Sequence, residues 1–252
     1  MPGREPPLSV LITAEHASNA VPSRWAELFD DSRDVLRTHR AWDPGSLPLA
    51  RALAEALGAK LMTGRWTRLL VDLNRSEHHP KRFSAFSRTL TAAEREELTR
   101  ALWRSHWQAY AEFVRAAPGR VIHLACHSFT PVLDGKVRST DIGLLHDPSR
   151  PDEDAFCRAL QKALRGRDPD LAVHRNRPYR GTSDGLGAWH RRMFDDSKLN
   201  TLEIELNQRF AEGREAVAVR TAIVTAAVEA IATLAGGGQR AASVQNRSPA
   251  AS

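Results

Sequence analysis

With 252 residues, 42% of them hydrophobic, the chain is long enough to close one sizeable core. Its two cysteines, Cys126 and Cys157, exclude a disulfide framework, and the absence of a C-x-x-C pair excludes a zinc ribbon or dithiol chemistry. Lysine and arginine outnumber aspartate and glutamate 36 to 30, but the surplus is arginine spread along the chain, so no nucleic-acid partner is expected. The opening MPGREPPLSV lacks an apolar leader core and no run of about eighteen apolar residues stands out, which predicts no membrane partner and a reducing, cytoplasmic setting.

Residues 8–13 read as the first strand, and they run into Glu15-His16-Ala17-Ser18. Residues 44–57 read as a helix: Pro44 suits its first turn, Leu49, Leu53 and Leu57 recur on one face, and Gly58 stops it. A weak strand signal at 60–63 precedes a stronger one at 69–73. Thr91-Ala-Ala-Glu94 is a capping box, opening a helix that reaches about Ala116 and closes at Pro118-Gly119.

Residues 121–126 and 141–145 are predicted strands, and 152–164 and 185–194 predicted helices. A last strand at 199–206 leads to a last helix at 213–234. Alternating strands and helices predict one α/β domain over 1–235, with helical layers about a central sheet. From 236 to 252, GGGQRAASVQNRSPAAS has the composition of a disordered tail.

Chemistry gathers where these strands end. In open α/β sheets ligand sites form at the carboxyl ends of strands, and His16 and His127 each stand just past an apolar run. A catalytic zinc commonly takes three imidazole or carboxylate ligands and leaves one position open. Asp43, directly before a helix start, is the expected third ligand, with a plain helix cap as its alternative role. Glu203 and Glu205 lie two apart on one strand and therefore share a face, where Leu202, Ile204 and Leu206 make an unpartnered carboxylate costly. Glu205 is the expected general base and Glu203 its support; salt bridges to arginine are the alternative for both.

Arg75 and Arg138 are the expected anion clamps, because a guanidinium meets a carboxylate with two parallel hydrogen bonds. Asn74 and Asn176 are placed beside them, to bind an amide or orient the arginines. His39 is expected to hold Asp43 from behind, a common arrangement around zinc. Cys126 precedes His127 and should point to the other face. No G-x-S-x-G elbow supports a serine hydrolase, and no G-x-G-x-x-G element supports nucleotide binding.

Seven segments in order give the chain a family likeness: TAEHASNAVP (13–22), HRAWDPGS (39–46), RLLVDLNRS (68–76), HSFTPVLDG (127–135), DIGLLHD (141–147), NRPYRG (176–181) and LEIELNQ (202–208). Over about residues 8–210 the chain resembles the N-formylglutamate amidohydrolases. The resemblance implies a metal-dependent amide hydrolase with an α/β/α fold and a mixed sheet, similar to zinc carboxypeptidases and aminoacylases. It implies one zinc held by His16, Asp43 and His127, with Glu205 as base, and a small N-acyl amino acid such as N-formylglutamate as substrate. Glu15, beside His16, competes with Asp43 as the carboxylate ligand or supports the site from outside. Arg177 stands where the family more often has an acidic residue, and Asn207 where it often has arginine. Two rival functions remain at this point: a peptide or peptidoglycan amidase on the same fold, and an anion-binding protein without turnover.

Overall fold

The structure, a computed structural model, describes residues 7–244. Its centre is a six-stranded sheet: β1 (Ser9–Ala14), β2 (Lys60–Thr63), β3 (Val121–Phe129), β6 (Ile142–Leu145), β7 (Val173–Arg175) and β8 (Leu199–Asn207). The strands lie in the order β2-β1-β3-β8-β6-β7, all neighbours parallel except β8 and β6. A small antiparallel hairpin, β4 (Val132–Leu133) and β5 (Lys136–Val137), stands apart from it. The sheet is mixed and covered on both faces, giving the expected three-layer α/β/α arrangement.

Alternation along the strands sorts side chains between the layers. Ile12, Ile122, Leu124, Cys126, Leu202 and Ile204 face a layer built from α1 (Ser46–Leu57), α4 (Pro151–Arg167) and α6 (Arg214–Val244). Leu11, Val121 and Leu199 face the other layer, where α3 (Ser105–Ala116) supplies Trp107, Tyr110 and Val114. Cys126 is therefore buried on the face opposite His127, as the alternation predicts.

The capping box of Thr91 and Glu94 opens α2 (Ala92–Leu98), which continues through a π-helical stretch, Thr99–Arg104, into α3. The predicted strand at 69–73 is instead a turn, with Leu70 N–H bonded to Thr67 C=O and Asp72 N–H bonded to Arg82 C=O. Its apolar residues Leu69, Leu70, Val71 and Leu73 are buried under α3, so the short apolar run reflects burial and not strand pairing. Trp107 and Trp103 fasten this turn by donating their indole N–H groups to the carbonyls of Leu73 and Arg75.

Among the described residues one helix span, Arg214–Leu234, is by length and composition apolar enough to cross a membrane, with mean hydropathy 1.7, although Arg220 and Glu229 interrupt it. Its Val219, Ile223, Ala226, Ala227 and Ile231 pack into the core against α4 and α1. The helix backbone continues to Val244, into the segment read as a tail, and residues 245–252 lie outside the described ones.

Candidate active site

Because β1, β3 and β8 are adjacent and parallel, their carboxyl ends open onto one edge. The register pairs Thr13 with Ala125, Ala125 with Glu203, and His127 with Glu205. One face of the three strands thus grades from apolar Val121 and Leu199, through Thr13, His123 and Thr201, to Glu15, His127 and Glu205 at the rim.

Two loops complete the rim. Asp43 donates its backbone N–H to His16 C=O, which docks the loop before α1 against the end of β1. Asp43 does not cap α1, whose N-cap is Gly45; its carboxylate turns to the sheet and accepts from Ser128 N–H at 3.4 Å. The second loop is the 68–76 turn, which brings Arg68, Asp72, Asn74 and Arg75.

His16 Nδ1 and His127 Nδ1 lie 3.2 and 3.1 Å from the same oxygen, Asp43 Oδ2. Each ring turns its other nitrogen to a second carboxylate: His16 Nε2 is 2.7 Å from Asp72 Oδ1, and His127 Nε2 is 3.1 Å from Glu15 Oε2. His16, Asp43 and His127 are buried and offer ligand atoms within 4.8 Å of one another. Arg68 gives Asp72 two hydrogen bonds, 3.1 Å from Nε and 2.6 Å from a terminal nitrogen, and stands 3.6 Å from Asp43.

Burial would neutralise these groups, but their pairing reverses it. Burial pushes Asp43 and Asp72 up; the nearby imidazoles and Arg68 outweigh it and hold both carboxyls below their ordinary range. Glu15 likewise sits well below its ordinary value, burial being overcome by His106 and His127. His16 is lowered by burial and Arg68, yet Asp72 and Asp43 raise it above its ordinary value. His127 is raised well above, because Asp43 and Glu15 overcome burial.

Glu205 behaves in the opposite way. Burial pushes its carboxyl up to about 8; His127 relieves this in part, while Asp43 and Glu203 add to it. Its Oε2 is buried with no hydrogen-bond partner. Glu203, beside it on the same wall, is raised by burial as well.

His16, Asp43, His127, Glu203 and Glu205 form the floor of a cavity of about 360 Å³, within the size range of small-molecule sites, with Glu15 and Asp72 behind it. Arg75 lines it, donating to Asp184 C=O at 2.9 Å. Asn74 also lines it, its Oδ1 accepting from Leu186 N–H at 2.7 Å and its Nδ2 at 3.3 Å from His127 Nε2.

Three expectations require correction. Arg138 does not line the cavity; it is stacked between Phe129 and Tyr179, 5.4 and 5.3 Å from the ring centres, and donates to the Tyr179 hydroxyl. Cation–π stacking makes it a strut for the cavity wall. Asn176 is spent on backbone: its Oδ1 accepts from His146 N–H and Gly181 N–H. His39 is exposed on the cavity wall and does not hold Asp43, whose polar contacts are with His16, His127, Ser128 and Arg68.

Asp72, Arg68, Arg180 and Tyr179 belong to the site and were not expected there. The Arg68-to-Asp72 spacing of four was the available signal for the first pair, hidden by reading 69–73 as a strand. Asn207, where arginine is frequent in the family, is buried and donates to Thr140 C=O behind the cavity.

A covered α/β sheet with buried imidazoles and carboxylates converging at its strand ends defines a hydrolase of the amidohydrolase kind. The N-formylglutamate amidohydrolase family model matches residues 8–211, and the chain belongs to that family. Among solved structures it is similar to gene product Atu2144 from Agrobacterium tumefaciens, 32% identical, covering 90% of this chain and 91% of that one with a TM-score of 0.77. It is also similar to N-formylglutamate amidohydrolase from Ralstonia eutropha JMP134, 17% identical over 95% and 96% of the two chains, TM-score 0.66. Murine aminoacylase 3 is more distant, 14% identical over 90% of this chain and 66% of that one, TM-score 0.42. No curated protein matches the chain.

Proposed function

We propose that this amidohydrolase cleaves the amide of an N-formyl or related N-acyl amino acid, such as N-formylglutamate, using one bound divalent metal, zinc in the first instance. The observation that carries this reading is the shared orientation of the two histidines. Each presents Nδ1 toward Asp43 Oδ2 while a carboxylate, Asp72 or Glu15, takes its Nε2 side. That is the carboxylate–histidine arrangement that fixes an imidazole's tautomer and leaves the other nitrogen free to bind a metal. The donor set of two imidazoles and one carboxylate fits a catalytic zinc.

His16, Asp43 and His127 would hold the metal. When bound, it supplies Lewis acidity that polarises a carbonyl and makes water more acidic. Glu205 takes the proton of the attacking water and returns it to the departing amine. Its partnerless buried Oε2 and raised pKa suit a group that must carry a proton for part of the cycle. Glu203 keeps a second negative charge nearby and so maintains the proton affinity of Glu205. Arg75, anchored by Asp184, meets the substrate carboxylate, and Asn74 lines the pocket beside it to meet the amide.

A cavity of about 360 Å³ favours a small substrate over an extended peptide or glycan strand. A buried base with no structural partner favours turnover over simple anion binding. The free thiols of Cys126 and Cys157 accord with work in the cytoplasm. The test is elemental metal content of the wild type beside a His16→Ala/His127→Ala variant. About one zinc per wild-type chain and none in the variant is the expected result. Equal metal content in the two would overturn the ligand assignment.

A further inference from the structure

A second and larger cavity, about 650 Å³, lies between the free edge of β2 and helix α3, with the π-helical stretch before α3 on its wall. Its lining is mainly apolar, with Leu61, Met62, Trp66, Val71, Leu102 and Phe113 as the main side chains. Lys60 and Arg65, both exposed, bring two cations to its border against one carboxylate, Glu112; none of the three forms an ion pair among the described residues. An apolar chamber with a net positive border complements an amphipathic carboxylate, whose tail fills the chamber while its head meets Lys60 or Arg65.

This cavity touches the candidate metal centre through two short links. His106, only 8% exposed, lines the chamber, and its Nε2 faces Glu15 Oε1 at 3.7 Å without a hydrogen-bond partner. Glu15, 1% exposed, has its other oxygen 3.1 Å from His127 Nε2. The gap of 3.7 Å exceeds hydrogen-bond length, so a small displacement of His106 makes or breaks this contact. The second link is backbone. Gly64, between the lining residues Thr63 and Arg65, packs so closely on Glu15 that a Cβ there would stand 1.8 Å from the Glu15 carbonyl oxygen. The cavity wall thus abuts both the side chain and the backbone of Glu15.

We infer that this chamber binds a small amphipathic carboxylate, such as a medium-chain fatty acid, and that His106 and Glu15 report its occupancy to His127. Binding at one place and response at the other are then reciprocal. His106 acts through Glu15 and is a positioning residue.

The test uses decanoate as probe and two readouts that need neither turnover nor bound metal. Calorimetric titration is expected to show one saturable site, weakened at least about tenfold in Ala109→Trp, where an exposed lining position on α3 is filled with an indole. Nitrogen NMR of the histidine rings is expected to show His127 resonances shifting with decanoate saturation, and the shift lost in His106→Phe. Absence of saturable binding, or equal binding to the wild type and Ala109→Trp, overturns the site. Binding with unmoved His127 resonances overturns the coupling. Because both readouts work on metal-free protein, failure of the zinc reading is scored separately.

Discussion

Burial holds His123 neutral, and this makes a quantitative demand on stability. The ring sits between Thr13, whose hydroxyl is 2.9 Å from Nε2, and Tyr110 and Thr201, whose hydroxyls are 3.0 and 2.6 Å from Nδ1. Burial lowers its pKa to about 3; Glu15 opposes this in part, while His190 and Arg191 add to it. In the unfolded chain the same ring titrates near about 6.5. Between those two values the unfolded state binds one proton more than the folded one, so stability falls as pH falls. The slope is about 1.4 kcal/mol per pH unit, which accumulates to about 3 kcal/mol between about pH 7 and pH 4.

A His123→Gln variant removes that proton while keeping polar atoms in the cluster. At neutral pH it should be less stable by about 1–3 kcal/mol, because three buried hydroxyls lose part of their bonding. The deficit should shrink as the medium is acidified, since only the wild type then meets the cost of a charged ring. Urea unfolding across this pH range, wild type beside variant, measures both quantities. Parallel stability curves would refute the reasoning, whatever their offset. His190, lowered to about 4 mainly by burial, contributes to both proteins and cancels in the comparison.

Three further outcomes follow from the site. Glu205→Gln should retain its metal yet lose about 10²- to 10⁴-fold in kcat, measured with N-formylglutamate, as removal of a general base requires. Asp72→Asn should weaken zinc binding about 10- to 100-fold in a competitive chelator titration, because the His16 ring loses the charge that orients it. Gly143→Ala should destabilise by about 1–3 kcal/mol in thermal unfolding, since the new methyl would stand 2.1 Å from the Arg177 carbonyl oxygen and 3.1 Å from Glu205 Cβ.

The central strands were legible because their apolar residues are buried on both faces, which leaves uninterrupted runs such as Val121–Ile122 and Leu124–Ala125–Cys126. His16, His127 and the paired glutamates stood out for the same reason: a titratable side chain at the end of such a run needs a partner. The turn at 68–76 was not legible. Four apolar residues interrupted by Asp72 are too few to separate a strand from any other buried segment, and the strand reading concealed the pairing of Arg68 with Asp72. Arg138 and Asn176 were misplaced because composition says that a side chain can bind an anion or amide, and only the fold says what already occupies it. Strand β7 and the β4–β5 hairpin were missed because two or three residues carry no period.

The antiparallel entry of β6 has a consequence for how this pocket can change. Residues 130–141 leave β3 and enter β6 at the same rim, with Ile142 paired to Leu206 near the end of β8. No part of this stretch has to cross the sheet, and its exposed residues 132–137 belong to neither helical core, whereas Thr140 and Asp141 are buried and bonded to Asn207. Leu133 from this stretch reaches the cavity, and Arg138 braces Tyr179 beside it. Insertions and deletions here can reshape the cavity mouth while the floor of His16, Asp43 and His127 stays as it is. The outer mouth of the cavity thus sits on a piece of chain separable from its floor, whereas Arg75 shares its turn with Asp72 and stays tied to that floor.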